Sequence, residues 1–143
     1  MNEFLLIAEA SGFPSISEGR STHLGGEVVF NGMVRTPNLD KEVLYLEFEA
    51  YPELFDNQMR LIAERLQKEF GVESIQLYHR IGKVFPSEVA VTAVVRGKHR
   101  KECFAACDEL IDELKRSVPI WKKEVNADGS FWVSPTPWKK KKK

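Results

Sequence analysis

The chain has 143 residues, with 21 basic and 21 acidic side chains, three histidines, two cysteines and a formal net charge of zero. At 43% hydrophobic and 29% charged, it has the balance of an ordinary globular protein, and its length suits one domain with a core of its own. No apolar run approaches the roughly 18 residues of a membrane span, MNEFLLIAEA has no basic stretch ahead of its apolar run, and two cysteines make no disulfide framework, so a membrane protein and a secreted disulfide scaffold are excluded and a cytoplasmic location is expected.

Five of the basic residues form the terminal run Lys139 to Lys143. A lysine run without apolar partners buries nothing, so residues 139–143 are expected to be a disordered tail and 1–138 a single domain. Without that run the chain is net acidic, which argues against a nucleic-acid partner.

In chain order, FLLIAEA (4–10) reads as a strand and PSISEGRSTHL (14–24) as a short helix or turn. GGEVVFNGMVR (25–35) opens on a glycine pair and is rich in β-branched and aromatic residues, which predicts a strand. A polar turn, TPNLDKE (36–42), leads into VLYLEFEAY (43–51), where Leu44, Leu46 and Phe48 alternate with Tyr45, Glu47 and Glu49. That alternation predicts a half-buried strand, paired with 25–35 as a hairpin. Residues 52–71 read as a helix: Pro52 suits the first turn, Gly71 the stop, and Phe55, Met59, Ile62 and Leu66 make one apolar stripe. VESIQLYHRIG (72–82) and EVAVTAVVRG (88–97) are strands joined through KVFPS. Residues 98–117 form a second long helix, with Phe104, Cys107, Ile111 and Leu114 as its stripe and an end ahead of Pro119. IWKKEV and FWV flank NADGS, a hairpin with an Asp-Gly turn. Strands paired as hairpins and interrupted by two helices predict an α+β fold with a mainly antiparallel sheet.

No phosphate loop, dinucleotide fingerprint, zinc-protease motif or nucleophile elbow occurs. His99, Cys103 and Cys107 follow at intervals of four, but ligands strung along about 12 Å of helix axis cannot meet at one ion. No metal is therefore expected, and both cysteines read as small core residues kept as thiols. The basic residues say more. Arg35 ends a strand, and Lys98, His99, Arg100 and Lys101 open the second helix, where free N–H groups and the helix dipole attract anions. In KRSVPIWKKE (115–124), Lys115 and Lys122 flank an apolar Pro-Ile-Trp turn. The two amines either extend separately into water or converge on an anionic ligand. A lysine beside Trp121 is open to a lowered pKa, which proton transfer and nucleophilic catalysis both require. His79, at a strand end, reads as a structural histidine or a base.

Four stretches, FNGMVR, YHRIGKVFP, VVRGKHRKECF and LKRSVPIWKKE, resemble in order and spacing the catalytic (large) subunit of molybdopterin synthase. The resemblance runs from about residue 25 to residue 133 and is densest in the pattern L-K-x-x-x-P-x-W-K-[KR]-E. It implies an α/β-hammerhead-like fold with a small extra antiparallel sheet. It also implies a sulfurtransferase that converts cyclic pyranopterin monophosphate (precursor Z) to molybdopterin by adding two sulfurs as a dithiolene. The sulfur arrives as the C-terminal Gly-Gly thiocarboxylate of a small ubiquitin-like subunit, so neither a cofactor nor a catalytic cysteine is expected here. The implied partners are that sulfur carrier and a second copy of this chain, the central homodimer of a heterotetramer.

Carried onto this sequence, the resemblance places Met33, Val34, Arg35, His99, Arg100, Lys115, Lys122, Lys123 and Glu124 at the substrate pocket. Lys115 and Lys122 are the implied catalytic pair, for proton transfer to the leaving oxygen and for holding the thiocarboxylate. The others are implied to bind substrate. Met33 departs from the family, which often has a basic residue there. Glu124 follows Lys122 by two residues, so on an extended segment it points the same way and is expected to fix that lysine. One unbroken helix would hold His99 and Lys115 roughly 24 Å apart, too far for one tricyclic substrate. No glycine or proline falls between residues 98 and 118, so a homodimer with composite sites is expected. The alternative is a noncatalytic anion- or nucleotide-binding module using the same basic residues.

Overall fold

In the computed structural model, residues 1–17 and 19–133 are described, Phe131 and Trp132 by their backbone alone. The expected lysine tail lies outside the described residues. Eight strands and two long helices follow the order β1 (Glu3–Ile7), β2 (Gly26–Met33), β3 (Val43–Ala50), α1 (Pro52–Phe70), β4 (Ser74–Arg80), β5 (Gly82–Val84), β6 (Val89–Gly97), α2 (Arg100–Ser117), β7 (Ile120–Asn126) and β8 (Gly129–Val133). The strands form two four-stranded sheets, in the orders β1-β4-β6-β2 and β5-β3-β7-β8. Among the described residues only β1 and β4 pair in parallel. The architecture is the expected α+β arrangement, with the smaller, wholly antiparallel sheet set against a larger one.

Both helices cover one face of the larger sheet. The α1 stripe of Phe55, Met59, Ile62 and Leu66 is fully buried, as its spacing predicts. Gly71 ends that helix in the left-handed region, at φ 70°, and its N–H donates to the Gln67 carbonyl. The α2 stripe is rotated from the expected one: Cys103, Ala106, Cys107, Leu110 and Leu114 are buried, whereas Phe104 is 61% exposed. The inner face must be narrow, because Cys103 Sγ lies against Gly26 and Gly97 on the strands beneath. A phenyl ring does not fit there. Both cysteines are free and buried, as expected.

The expected hairpin between residues 25–35 and 43–51 does not form. β2 pairs with β6, while β3 joins the other sheet between β5 and β7. The connecting segment carries the chain from one sheet to the next, so neighbours in sequence become strands of different sheets. The expected face of β3 also changes at its start. A register shift between Val43 and Tyr45 buries Val43 and turns Leu44 outward, while Phe48 stays inside. KVFPS contributes β5 to the smaller sheet rather than a simple loop. Residues 14–17 and 19–24 form bends, turns and irregular chain, not the expected short helix. The NADGS hairpin forms, but its turn is Ala127-Asp128 instead of the expected Asp-Gly, because Gly129 already pairs with Asn126.

Candidate active site

Where the two sheets meet α2, a cleft of about 460 Å³ opens. Its walls are apolar, from Phe30, Phe48, Val91, Ile111 and Leu114, and its polar groups are Lys115, Lys122 and His79. Each polar group comes from a different element. Lys115 stands in the last turn of α2, Lys122 on β7 opposite Phe48 of β3, and His79 near the end of β4. Met33 and Val34 form one rim. The turn of Val118 and Pro119 folds the chain back from α2 into β7, so two lysines seven residues apart face one space.

The electrostatics follow from this crowding. Lys122 is held below the ordinary lysine value, first by burial and second by the charge of Lys115, with Glu124 opposing. The two amines thus share a cleft rather than extending separately into water. His79 is pushed down to about 4 by burial, with a smaller push from Lys122, against a hydrogen bond to the Arg80 carbonyl. The ring stands edge-on to Phe48, centroids 4.9 Å apart. Sequence reasoning left His79 between a structural and a chemical role. The cleft adds a place for it, and the signal in hand was only its position in YHRIG.

The other predicted residues divide. Glu124 is 4% exposed, and its carboxylate accepts from Asn38 Nδ2 at 2.8 Å and Asn126 Nδ2 at 3.3 Å. It therefore ties β7 to the 36–42 turn instead of gripping Lys122 directly, although its charge still favours the protonated lysine. Lys123 points to the other side of β7, with Nζ 3.4 Å from Glu47 Oε1. Arg35 is exposed beside buried Val34. His99 and Arg100 stand exposed at the far end of α2, with His99 Nδ1 3.5 Å from Glu102. The helix is unbroken over 18 residues, so Arg100 and Lys115 are separated by about 22 Å along the axis. One copy of the chain does not bring the two ends together. A larger, more open hollow of about 920 Å³ along Glu47 to Tyr51 and Trp121 holds none of the predicted site residues. Among the described residues no group of histidines, cysteines and carboxylates can hold a metal ion, and no helix is long and apolar enough to cross a membrane.

The family described as MoaE protein matches residues 9–117. The chain belongs to that family. A relative from Pyrococcus abyssi named molybdopterin synthase catalytic subunit is 40% identical over 113 residues, 79% of this chain and 76% of the relative. One of the same name from Staphylococcus carnosus is 36% identical over 111 residues, 78% and 74% of the two chains. Among solved structures, molybdopterin synthase from Staphylococcus aureus superposes with a TM-score of 0.80 at 32% identity, covering 90% of this chain and 95% of that one. A chain from a complex of subunits 1 and 2 of molybdopterin-converting factor of Helicobacter pylori superposes with a TM-score of 0.65 at 25% identity, covering 78% and 73%. The family match ends before β7 and so takes in Lys115 but not Lys122, whereas the superposition on the Staphylococcus aureus structure covers 90% of this chain.

Proposed function

We propose that this chain is the catalytic subunit of a molybdopterin synthase, which makes molybdopterin from precursor Z with sulfur from a thiocarboxylated small partner. The observation that carries this reading is the shared cleft of Lys115 and Lys122 in a MoaE-family chain. An apolar slot suits a flat heterocycle, and two amines at its mouth suit a phosphate and a thiocarboxylate. A lysine with a lowered pKa gives up its proton more readily than a free one, which fits it for proton transfer to the leaving oxygen. In this reading Met33 and Val34 line the substrate, and Glu124 secures the turn that follows Val34 and Arg35. The small sulfur carrier is the protein partner, residues 1–138 act as one domain, and the reaction takes place in the cytoplasm.

The basic residues at the far end of α2 enter the site from a second copy. β2 is an edge strand, with Val29, Phe30 and Met33 exposed along it and Phe104 exposed on the helix above. Gly26, at one end of β2, backs onto Arg100, while Met33, at the other end, lines the cleft. Antiparallel pairing of two β2 edges about a two-fold axis therefore sets His99 and Arg100 of one copy beside the cleft of the other.

Reconstitution with the thiocarboxylated partner and precursor Z tests the activity. A dithiolene product is expected, and binding without product would leave the noncatalytic anion-binding alternative. Mixing an inactive Arg100→Ala chain with an inactive Lys115→Ala chain tests the composite site. Mixed dimers hold one intact site, so activity should return. Confirmed subunit exchange with no recovery would rule the shared site out.

A further inference from the structure

The catalytic reading leaves His79 without a task. Its ring is 6% exposed and lines the cleft. Nδ1 lies 2.7 Å from the Arg80 carbonyl oxygen, so Nδ1 carries the hydrogen and donates it there. Among the described residues Nε2 has no hydrogen-bond partner. Within one copy, the charged groups lining the same space are Lys122 on β7 and Lys115 on α2, and burial together with the Lys122 charge keeps the imidazole neutral. A neutral imidazole with Nδ1–H engaged has one bare lone pair, at Nε2. That lone pair accepts from an N–H or O–H and repels phosphate oxygens. The ammonium groups do the reverse. The cleft therefore holds two unlike kinds of polar group, an acceptor and two amines, within apolar walls.

We propose that His79 Nε2 is the hydrogen-bond acceptor that reads an N–H or O–H on the heterocyclic part of the ligand, while the ligand's anionic part turns to the basic groups around the cleft. The inference rests on the synthase reading for the identity of that ligand, a pterin bearing a phosphate. It makes His79 a specificity-determining residue, because a heterocycle without a donor at that edge leaves a buried acceptor unpaired.

The test uses the full chain with pterin (2-amino-4-oxopteridine) and inorganic phosphate as separate probes. His79→Leu keeps most of the volume and removes the acceptor, while His79→Gln places an amide oxygen near the Nε2 position. Pterin affinity should fall roughly tenfold in His79→Leu, the scale of one lost hydrogen bond, and stay within about threefold in His79→Gln. Phosphate affinity should be unchanged in both. In the unaltered chain, 15N spectra at neutral pH should show the His79 ring protonated at Nδ1 and bare at Nε2, with the Nε2 signal moving when pterin is added. This last measurement decides the matter even if His79→Leu fails to fold. A protonated Nε2, an unaltered chain that does not bind pterin, a His79→Leu chain that binds it as tightly as the parent, or an equal loss of phosphate affinity would each overturn the proposal. If the pterin results hold but reconstitution yields no dithiolene, the synthase reading fails and the role of His79 stands.

Discussion

Lys122 shows how much of a residue's chemistry is set by its neighbours. Burial is the main cause of its lowered pKa, and Lys115 the second. Lys115→Met removes the second cause, so the Lys122 pKa should rise toward the ordinary lysine value, read from the pH titration of its Cε resonance. An unchanged titration would mean that the amines do not feel each other. Lys115→Ala and Lys122→Ala should each lower kcat by about 10²–10⁴-fold, with a smaller change in KM, if the amines act mainly in the transition state. Full turnover in either variant would remove that residue from the proton-transfer role. The two lysines were legible as a pair because a proline stands between them and the surrounding pattern is dense. Glu124 was placed on the correct face of its strand and its charge does favour the protonated Lys122, but its hydrogen-bond partners were not foreseen. The asparagines that hold it are Asn38, from a turn 86 positions earlier, and Asn126, two positions on. Strand alternation says which way a side chain points, not what meets it.

At the scale of elements, local periodicity was informative and long-range pairing was not. The α1 stripe could be read from its spacing and a favourable first and last residue. The β2–β3 hairpin was misread because adjacency and a polar turn signal a hairpin but do not say in which sheet each strand finds its partner. β2 is instead held to β6 partly by Glu27, whose carboxylate accepts from Arg96 Nε at 2.7 Å and pairs with Arg20 at 2.7 Å. Arg96 also donates to the Ile16 carbonyl, which anchors the irregular segment before β2. Hydrogen bonding to Arg20 leads the causes that lower the Glu27 pKa from 4.5 to about 2. The unfolded chain therefore binds a proton before the folded chain does, so this stabilisation is complete above about pH 4.5 and is lost as the pH falls toward 2. His79 acts in a higher window. Its pKa falls from 6.5 to about 4, so its contribution is complete above about 6.5 and is lost as the pH falls toward 4. Denaturant midpoints measured from pH 7 to pH 3 should decline through both windows. Glu27→Gln should flatten only the lower one, and an unchanged acid limb in that variant would show that the Arg20 and Arg96 contacts do not govern it.

For the whole molecule, Phe104 is the informative misreading. Helical spacing identified it as apolar and assigned it to the core, yet it faces outward beside the β2 edge. A sequence pattern reports that a face is buried, not whether the same chain or a second copy buries it. Phe104→Asp places a charge on that face without touching the monomer core. It should convert the proposed homodimer to monomer at micromolar concentration, with little change in thermal stability beyond the lost association, as sedimentation and melting would show. A dimer of undiminished affinity would place the interface elsewhere. A last consequence lies in how the two amines are mounted. Lys115 rides on a helix packed against the larger sheet, Lys122 on a strand of the smaller one, and the turn at Val118 and Pro119 joins that helix directly to that strand. Val118 is buried and its N–H returns to the Leu114 carbonyl, while proline fixes the next φ. The gap between the charges is thus governed by a stiff joint of two residues, and any tilt of the smaller sheet, such as a protein docking on its outer strands would impose, is transmitted directly to the separation of the reacting groups.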